Sequence, residues 1–264
     1  MKSTRHHCEK PRDVISRKPE TSGYLDGMDI LEGFTLIFLY IRPFNTMEED
    51  QLKQMAAQLR QPNGEYAIQV GVKMNEGNLQ MNRDTLRVVN PGDGEKLLEI
   101  GMGNGGFVKG ITENKPLLTY TGCDLSQEMV EEANRINADL VDKGQVVFVH
   151  ANATSLPLGN ETFDKIFTAN TIYFWDDETI VLKELKRVLK PEGKLILSLR
   201  PRHQMEKYPF TKYGFNMFSK QEICDLLESN GFKPEKIFEN NEPEFELNGE
   251  VLKMENLIVV ASKK

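Results

Sequence analysis

The sequence contains a glycine-rich turn of the kind that lets a ligand approach the backbone closely. An apolar run over residues 96–100 leads directly into Gly101, Gly103 and Gly106, which satisfy the spacing G-x-G-x-x-G. Asp124 stands at the end of the next predicted strand, where a carboxylate can hold the hydroxyl groups of a ribose. The pattern predicts a nucleotide site and leaves the type of nucleotide open.

Glu99 separates the possible nucleotides by charge. It precedes the first glycine by two positions, where a carboxylate would repel the pyrophosphate of a dinucleotide and attract a sulfonium or ammonium group. S-adenosylmethionine has this charge pattern. An NAD(P)-dependent oxidoreductase stays as an alternative because the glycine spacing and Asp124 also suit a dinucleotide. A second alternative is a module that binds the nucleoside cofactor without turnover.

Several segments, in order, resemble the successive motifs of class I S-adenosylmethionine-dependent methyltransferases. They are E-I-G-M-G-N-G from Glu99, C-D-L-S around Asp124, F-D-K-I from Phe163 and R-V-L-K-P-E-G-K-L from Arg187. The sequence is similar to the small-molecule branch that includes ubiquinone and menaquinone biosynthesis methyltransferases. The resemblance covers residues 47–264, and it implies methyl transfer to a small-molecule acceptor by direct displacement.

The resemblance also implies which residues meet the cofactor, S-adenosylmethionine. Glu99, Gly101 and Gly103 would line its methionine end, and Asp124 would hold its ribose. Asn78, in the segment before the first strand, resembles a position that closes over the cofactor in this branch.

The adenine contacts are implied by H-A-N-A-T-S-L-P, which follows the third predicted strand. Here Asn152 and Ala153 stand where the family usually has Asp-Ala. An asparagine side chain can still accept a hydrogen bond from the adenine amino group. Met129 would pack against the adenine ring, although its helical spacing suits an ordinary core position equally well.

The predicted catalytic residues are Asn170, Tyr173 and His203. Asn170 and Tyr173 follow the fourth predicted strand, at the sheet edge where open α/β folds bind ligands. They have the N-x-x-Y spacing of amine and nucleobase methyltransferases without the two intervening prolines. Tyr173 or His203 is the candidate base for a hydroxyl or phenol acceptor. The aromatic residues within 208–218 are expected either to wall an acceptor pocket or to pack as an ordinary loop.

The elements that must position these residues are those of a layered α/β fold. Short apolar runs alternate with amphipathic segments from residue 94 onwards, as in a parallel sheet covered by helices. The predicted strands are Lys96–Ile100, Thr119–Cys123, Gln145–His150, Phe163–Ala169 and Lys194–Leu199, followed by a hairpin of Lys233–Glu239 and Val251–Ala261. Together with the resemblance, this predicts a Rossmann-like, seven-stranded, mostly parallel sheet with helices on both faces and an antiparallel last strand.

The chain divides into an N-terminal extension, residues 1–46, and a methyltransferase domain, residues 47–264. Within that domain, residues 47–93 predict a helical lead-in or lid, with a second helical stretch from Val70 towards Arg87, and residues 94–264 the Rossmann-like core. Because the motifs begin after Met47, we expect residues 1–46 to be dispensable for folding and for cofactor binding.

Composition and charge argue against several classes of partner, namely nucleic acid, metal ions and the membrane interior. The chain has 264 residues, 39% of them hydrophobic, and a net charge of −7, which disfavours nucleic acid as a partner. The three cysteines are far apart and form no C-x-x-C pair, so neither disulfides nor a metal site is expected, and a cytoplasmic location fits. The apolar run Leu36–Ile41 is too short for a membrane span. The identity of the acceptor and the oligomeric state stay open.

Overall fold

The computed structural model describes residues 47–247 and 250–264, so the extension predicted for residues 1–46 lies outside the described residues. Its strands are β1 (Lys96–Ile100), β2 (Thr119–Asp124), β3 (Val146–His150), β4 (Phe163–Ala169), β5 (Leu189–Leu199), β6 (Phe232–Asn241), β7 (Phe245–Leu247), β8 (Glu250–Leu252) and β9 (Glu255–Lys263). Seven of them form one sheet in the order β3-β2-β1-β4-β5-β9-β6, and β7 pairs with β8 separately. Within the seven-stranded sheet, β9 runs antiparallel to β5 and to β6, and the other pairs are parallel. β7 and β8 pair antiparallel. The predicted fold class is confirmed.

Helices precede the sheet and connect its strands. They are α1 (Glu49–Arg60), α2 (Ala67–Gly77), α3 (Leu79–Val89), α4 (Val108–Thr112), α5 (Gln127–Ile136), α6 (Ala138–Asp142), α7 (Glu178–Val188), α8 (Arg202–Met205) and α9 (Lys220–Ser229). Among the described residues, no helix is long and apolar enough to cross a bilayer.

The strand order reverses between β1 and β4, which lie side by side although β2 and β3 come between them in the chain. The crossovers therefore run to opposite sides of β1, and a crevice opens at the carboxyl ends of these strands. Gly101 follows β1, Asp124 ends β2 and Asn170 follows β4. The topology alone thus brings three predicted site residues to one edge of the sheet.

The lead-in consists of α1, α2 and α3. The single helical stretch predicted from Val70 towards Arg87 is wrong, because the chain leaves helical geometry at Asn78, between α2 and α3. Gly77 and Asn78 both have low helix propensity, and the Asn82 amide donates to the Asn78 carbonyl at 3.0 Å. This break places Asn78 at the junction of two helices.

Two other boundaries differ from the prediction. The strand predicted over Lys194–Leu199 begins earlier, at Leu189, because α7 ends at Val188 and the chain pairs with β4 at once through Leu189 and Phe163. The predicted last hairpin strand, Val251–Ala261, is divided between β8 and β9. The small β7–β8 hairpin therefore interrupts the connection between β6 and β9.

The α7 helix shows how a predicted amphipathic pattern becomes core packing. The Asp177 carboxylate caps its first turn by accepting from the backbone N–H groups of Thr179 and Ile180, at 2.9 and 3.1 Å. Leu182 is fully buried against the sheet, whereas Ile180 on the same helix is 49% exposed. One face of α7 thus packs against the protein core, and the other faces solvent.

We predict that Leu182→Ala lowers the free energy of unfolding by about 2–5 kcal/mol, because it removes buried methyl groups and leaves a cavity. Ile180→Ala is the matched control and should change it by less than about 0.5 kcal/mol. Urea unfolding followed by circular dichroism measures both. Equal effects of the two substitutions would contradict this assignment of the buried face.

Candidate functional site

A cleft of about 1120 Å³ opens at the carboxyl ends of β1, β2 and β4, with α1 and α2 on its other side. All the predicted cofactor residues line it, together with one predicted catalytic residue. They are Glu99, Gly101, Gly103, Asp124, Met129, Asn152, Ala153, Asn78 and Asn170. The structure thus brings together residues that lie up to 92 positions apart in the chain.

The glycine turn forms the floor of the cleft. Gly101 has φ of +72°, and a Cβ atom built on it would collide with the side chain of Thr171 in the loop after β4. Gly103 has φ of +59°, and a Cβ atom built there would meet nothing within 4 Å. Gly101 therefore allows two loops to touch, and Gly103 leaves its side of the turn open to a ligand.

Asp124 is anchored by the same turn. Its two carboxylate oxygens accept hydrogen bonds from the backbone N–H groups of Gly103 and Ser126, each at 2.9 Å. Burial nevertheless raises the pKa of Asp124 to about 6, even though these hydrogen bonds favour the charged form. A carboxylate has about four acceptor positions. Asp124 therefore keeps the capacity to accept from a further donor, such as a ribose hydroxyl.

Glu99 is the second buried acid of the cleft. Its Oε2 accepts a hydrogen bond from the Tyr120 hydroxyl at 2.5 Å. Burial raises the pKa of Glu99 to about 7; the Tyr120 hydrogen bond opposes this rise, and the negative charge of Asp124 adds to it. A cation in the cleft would relieve both the desolvation and the repulsion, so this electrostatic arrangement suits a positively charged ligand.

The residues predicted for the adenine contacts, Asn152, Ala153 and Met129, line the cleft. The Asn152 Oδ1 atom accepts from the backbone N–H and the hydroxyl of Thr154, each at 3.0 Å, so it closes its own turn. The adenine contact of this oxygen stays a prediction. Met129 is fully buried, which agrees with a core position, and its contact with adenine also stays a prediction.

On the other side of the cleft, Asn170 occupies left-handed backbone geometry with φ of +56°, which asparagine tolerates better than most residues. Its Nδ2 donates to the Asn78 Oδ1 at 2.7 Å. The Tyr173 hydroxyl donates to the Asn170 Oδ1 at 3.1 Å. The two asparagines therefore join the loop after β4 to the lead-in.

Tyr173 does not line the cleft as a base would. Its ring is buried, its hydroxyl lies between Asn170 and the backbone of Arg200, and burial raises the pKa of this phenol above its ordinary value. Removing a proton from an acceptor would require the charged form, which burial disfavours. The geometry gives Tyr173 the role of orienting Asn170.

His203 is not brought to the cleft, contrary to the sequence prediction. The chain passes from β5 into α8, beside the start of β9, and the exposed His203 imidazole lies 2.9 Å from a carboxylate oxygen of Glu255. The aromatic residues after it do not line the cleft either. Instead, Phe210 packs on Leu52 and Met55 of α1.

Two residues that were not predicted from the sequence, Arg60 and Asp176, also line the cleft and form an ion pair at 2.6 Å. Arg60 ends α1 and Asp176 follows the loop after β4, 116 positions later in the chain. No local pattern connects two charged residues at this separation. Only the packing of the lead-in on the core shows that they meet.

The chain resembles known methyltransferases in sequence. The family described as "Methyltransferase domain" matches residues 98–197. An uncharacterised methyltransferase of Bacillus subtilis is 29% identical over 66% of this chain and 92% of its own length. The 27-O-demethylrifamycin SV methyltransferase of Amycolatopsis mediterranei is 36% identical, but the match covers 39% of this chain and 38% of that protein. An O-methyltransferase of Aspergillus sclerotiorum is 25% identical over 65% of each chain.

Solved structures show the same likeness. A methyltransferase of Thermotoga maritima, described as S-adenosylmethionine-dependent and a possible histamine N-methyltransferase, superposes with a TM-score of 0.53 and 26% identity over 73% of this chain and 96% of that chain. An S-adenosylmethionine-dependent methyltransferase of Aquifex aeolicus, at 20% identity and a TM-score of 0.56, covers 74% of this chain and 97% of its own and shares the fold.

We predict that Glu99→Gln stabilises the ligand-free protein at pH 8. An acid whose pKa is raised on folding, here to about 7, stabilises the folded state below its ordinary pKa and loses that contribution as the pH rises through 7. Glutamine can still accept from Tyr120. The gain in melting temperature at pH 8 should therefore shrink towards pH 4.5.

Glu184→Gln is the control, because its expected change in melting temperature at pH 8 has the opposite sign. The hydrogen bond from Arg187 lowers the pKa of Glu184, so the neutral substitute should lower the melting temperature at pH 8. Thermal unfolding of both variants and the wild type between pH 4.5 and 8 measures the trends. Destabilisation by Glu99→Gln at every pH would contradict the assigned cost of burying this charge.

Proposed function

The chain belongs to the class I S-adenosylmethionine-dependent methyltransferases, and from this premise we propose that it transfers a methyl group to a small-molecule acceptor in the cleft. The observation that carries the proposal is the meeting of two buried acids, Glu99 and Asp124, with the Asn78–Asn170 pair in a single cleft. The acids suit a cationic nucleoside, and the amides lie where a second molecule would have to approach it.

S-adenosylmethionine, when bound, supplies a methyl group activated by a positively charged sulfur. Glu99 would hold the positive methionine end, because its ionised form is favoured by a nearby cation. Asp124 would accept from a ribose hydroxyl with the acceptor capacity that Gly103 and Ser126 leave free. The open side of Gly103 would admit the ligand, and Met129 would pack on its adenine.

The residues on the side of the cleft where the acceptor would bind would contribute by positioning the acceptor. Displacement at a methyl group requires the nucleophile in line and near van der Waals distance, and well-oriented reactants can gain about 7–11 kcal/mol in this way. Asn170 and Asn78, tied to each other at 2.7 Å, would orient the acceptor there. The similar proteins include an O-methyltransferase and a possible histamine N-methyltransferase, which supports a small organic acceptor methylated on oxygen or nitrogen. From the net charge and the cysteine spacing we also propose that the enzyme is cytoplasmic and does not act on nucleic acid.

We predict that S-adenosylmethionine and S-adenosylhomocysteine bind the wild type and that Asp124→Ala weakens both by tenfold or more. Each charge-assisted hydrogen bond to a ribose hydroxyl contributes about 1.5–3 kcal/mol, and 1.4 kcal/mol corresponds to tenfold. Glu99→Gln should also weaken both adenosyl ligands. Calorimetric titration provides the dissociation constants.

The nicotinamide dinucleotides serve as the control in the same titrations. Loss of the Glu99 charge should spare or improve the binding of a ligand that carries a pyrophosphate, because it removes a repulsion. Tight binding of dinucleotides by the wild type, with no response to the adenosyl ligands, would contradict the proposed function.

We predict that Asn170→Ala lowers kcat at least tenfold and changes the dissociation constant of S-adenosylmethionine less than threefold. The test is transfer of a labelled methyl group to a panel of quinones, phenols, amines and carboxylates. Asn134→Ala is the control, because the Asn134 amide donates only to the Val130 carbonyl on α5, away from the cleft lining. An unchanged kcat in Asn170→Ala would place the acceptor elsewhere.

A further inference from the structure

Arg200, directly after β5, is a buried arginine that the reaction outlined above does not use. Its guanidinium forms an ion pair with Glu242 at 2.9 Å, and the two side chains are only 6% and 5% exposed. Removing both charges from water costs several kcal/mol per ion, which the attraction between them offsets only in part. A buried ion pair of this kind contributes little net stability, so its presence is better explained by its effect on the residues that it contacts.

Arg200 is fixed from the side of the sheet. Glu242 also accepts from the Asn256 Nδ2 at 3.3 Å, and the same Nδ2 donates to the Asp84 Oδ2 at 3.1 Å. Asn256 belongs to β9 and Asp84 to α3, and both are buried. The ion pair is therefore one part of a polar network that joins the end of the sheet to the lead-in.

Arg200 reaches the cleft by two routes. Its guanidinium donates at 3.1 Å to the carbonyl of Gly77, the last residue of α2, and Asn78 comes next in the chain. Its backbone N–H donates to the Tyr173 hydroxyl, which in turn lies 3.1 Å from the Asn170 Oδ1. Both members of the Asn78–Asn170 pair are thus held by the same residue. The Arg200 side chain holds Asn78 through Gly77, and the Arg200 backbone holds Asn170 through Tyr173.

This arrangement also sets the direction of the amide bond. The Asn170 Oδ1 lies within hydrogen-bond distance of the Tyr173 hydroxyl, so the Nδ2 of Asn170 is the atom that faces the Asn78 Oδ1. Without the anchored hydroxyl, rotation of the Asn170 amide by 180° would exchange its donor and its acceptor. The direction of this bond thus depends on where Arg200 holds Tyr173.

We propose that Arg200 is a positioning residue for methyl transfer, which fixes Asn78 and Asn170 in the geometry that the acceptor meets. The inference deepens the proposed function and rests on it. Arg200 acts through Gly77 and Tyr173 and does not line the cleft itself. Its loss should therefore affect turnover more than the binding of the methyl donor.

Arg200→Lys tests the proposal in the full chain. Lysine keeps the positive charge for Glu242 but offers a single ammonium group, which cannot hold Glu242 and the Gly77 carbonyl in the same geometry. We expect kcat to fall at least tenfold and the dissociation constant of S-adenosylmethionine to change less than threefold. Glu242→Gln, which keeps a hydrogen-bond acceptor, is the second variant if the lysine variant does not fold, and the same outcome is expected.

Arg187→Lys is the matched control. Arg187 also pairs with a glutamate, Glu184, and also donates to backbone carbonyls, those of Leu156 and Leu158, but it does not line or border the cleft. Its substitution should lower the melting temperature and leave kcat within twofold of the wild type. Equal losses of kcat in the two lysine variants would overturn the proposal, since both would then reflect general destabilisation.

A double-mutant cycle separates positioning from mere structural support. If Arg200 acts through Asn170, then Arg200→Lys should cost the Asn170→Ala variant less than threefold in kcat, although it costs the wild type tenfold or more. A repeated tenfold loss in the Asn170→Ala background would show that the two residues act independently and would overturn the proposal.

Hydrogen–deuterium exchange gives a readout that needs no turnover. Arg200→Lys keeps the backbone bond to Tyr173 and loses the guanidinium bond to Gly77, so peptides covering residues 74–82 should exchange at least threefold faster than in the wild type, and in Arg187→Lys they should not. Unchanged exchange in these peptides would overturn the positioning role even in an active enzyme. Absence of methyl transfer by the wild type with every acceptor would instead contradict the proposed function, while the exchange result would stand by itself.

Discussion

The close approach of Gly101 to Thr171 is the constraint on which the rest of the cleft depends. It exists because the sheet order reverses between β1 and β4, so that the turn after one strand and the loop after the other leave the same edge side by side. A residue with a Cβ atom at position 101 would force these loops apart. The turn carries Gly103, which anchors Asp124, and the loop carries Asn170, so both walls of the cleft are set by one contact.

The electrostatics of the cleft work against the stability of the empty protein. Glu99 and Asp124 are both buried, and burial raises the pKa of each carboxyl, so at neutral pH the fold holds charge that water would solvate better. Such unfavourable arrangements persist where a ligand compensates for them. Binding of a cationic nucleoside would restore part of the lost solvation, so affinity and the instability of the empty site have the same physical origin.

Local sequence patterns predicted the fold well, and the residues predicted for the cofactor line one cleft. The bounds of β1 and β4 agree with the predicted strands, because a strand's apolar pattern depends on neighbouring residues. Two of the three predicted catalytic residues do not line this cleft. His203 lies away from the cleft and the Tyr173 hydroxyl is buried, because the packing of β5, α8 and β9 decides where those side chains go. Contacts between segments far apart in the chain, such as Arg60 with Asp176, cannot be predicted from the spacing of neighbouring residues.

The break at Asn78 has a consequence for how such a protein can diverge. The segment that matches the methyltransferase domain, residues 98–197, includes Glu99, Asp124 and Asn170 but not the lead-in. Asn78 therefore belongs to a part of the cleft that is built from sequence outside the matched domain. On the proposed function, relatives would inherit the half that meets the methyl donor. The lead-in would then be the part in which a new acceptor preference can arise, with Asn170 as the point where inherited and variable surfaces meet.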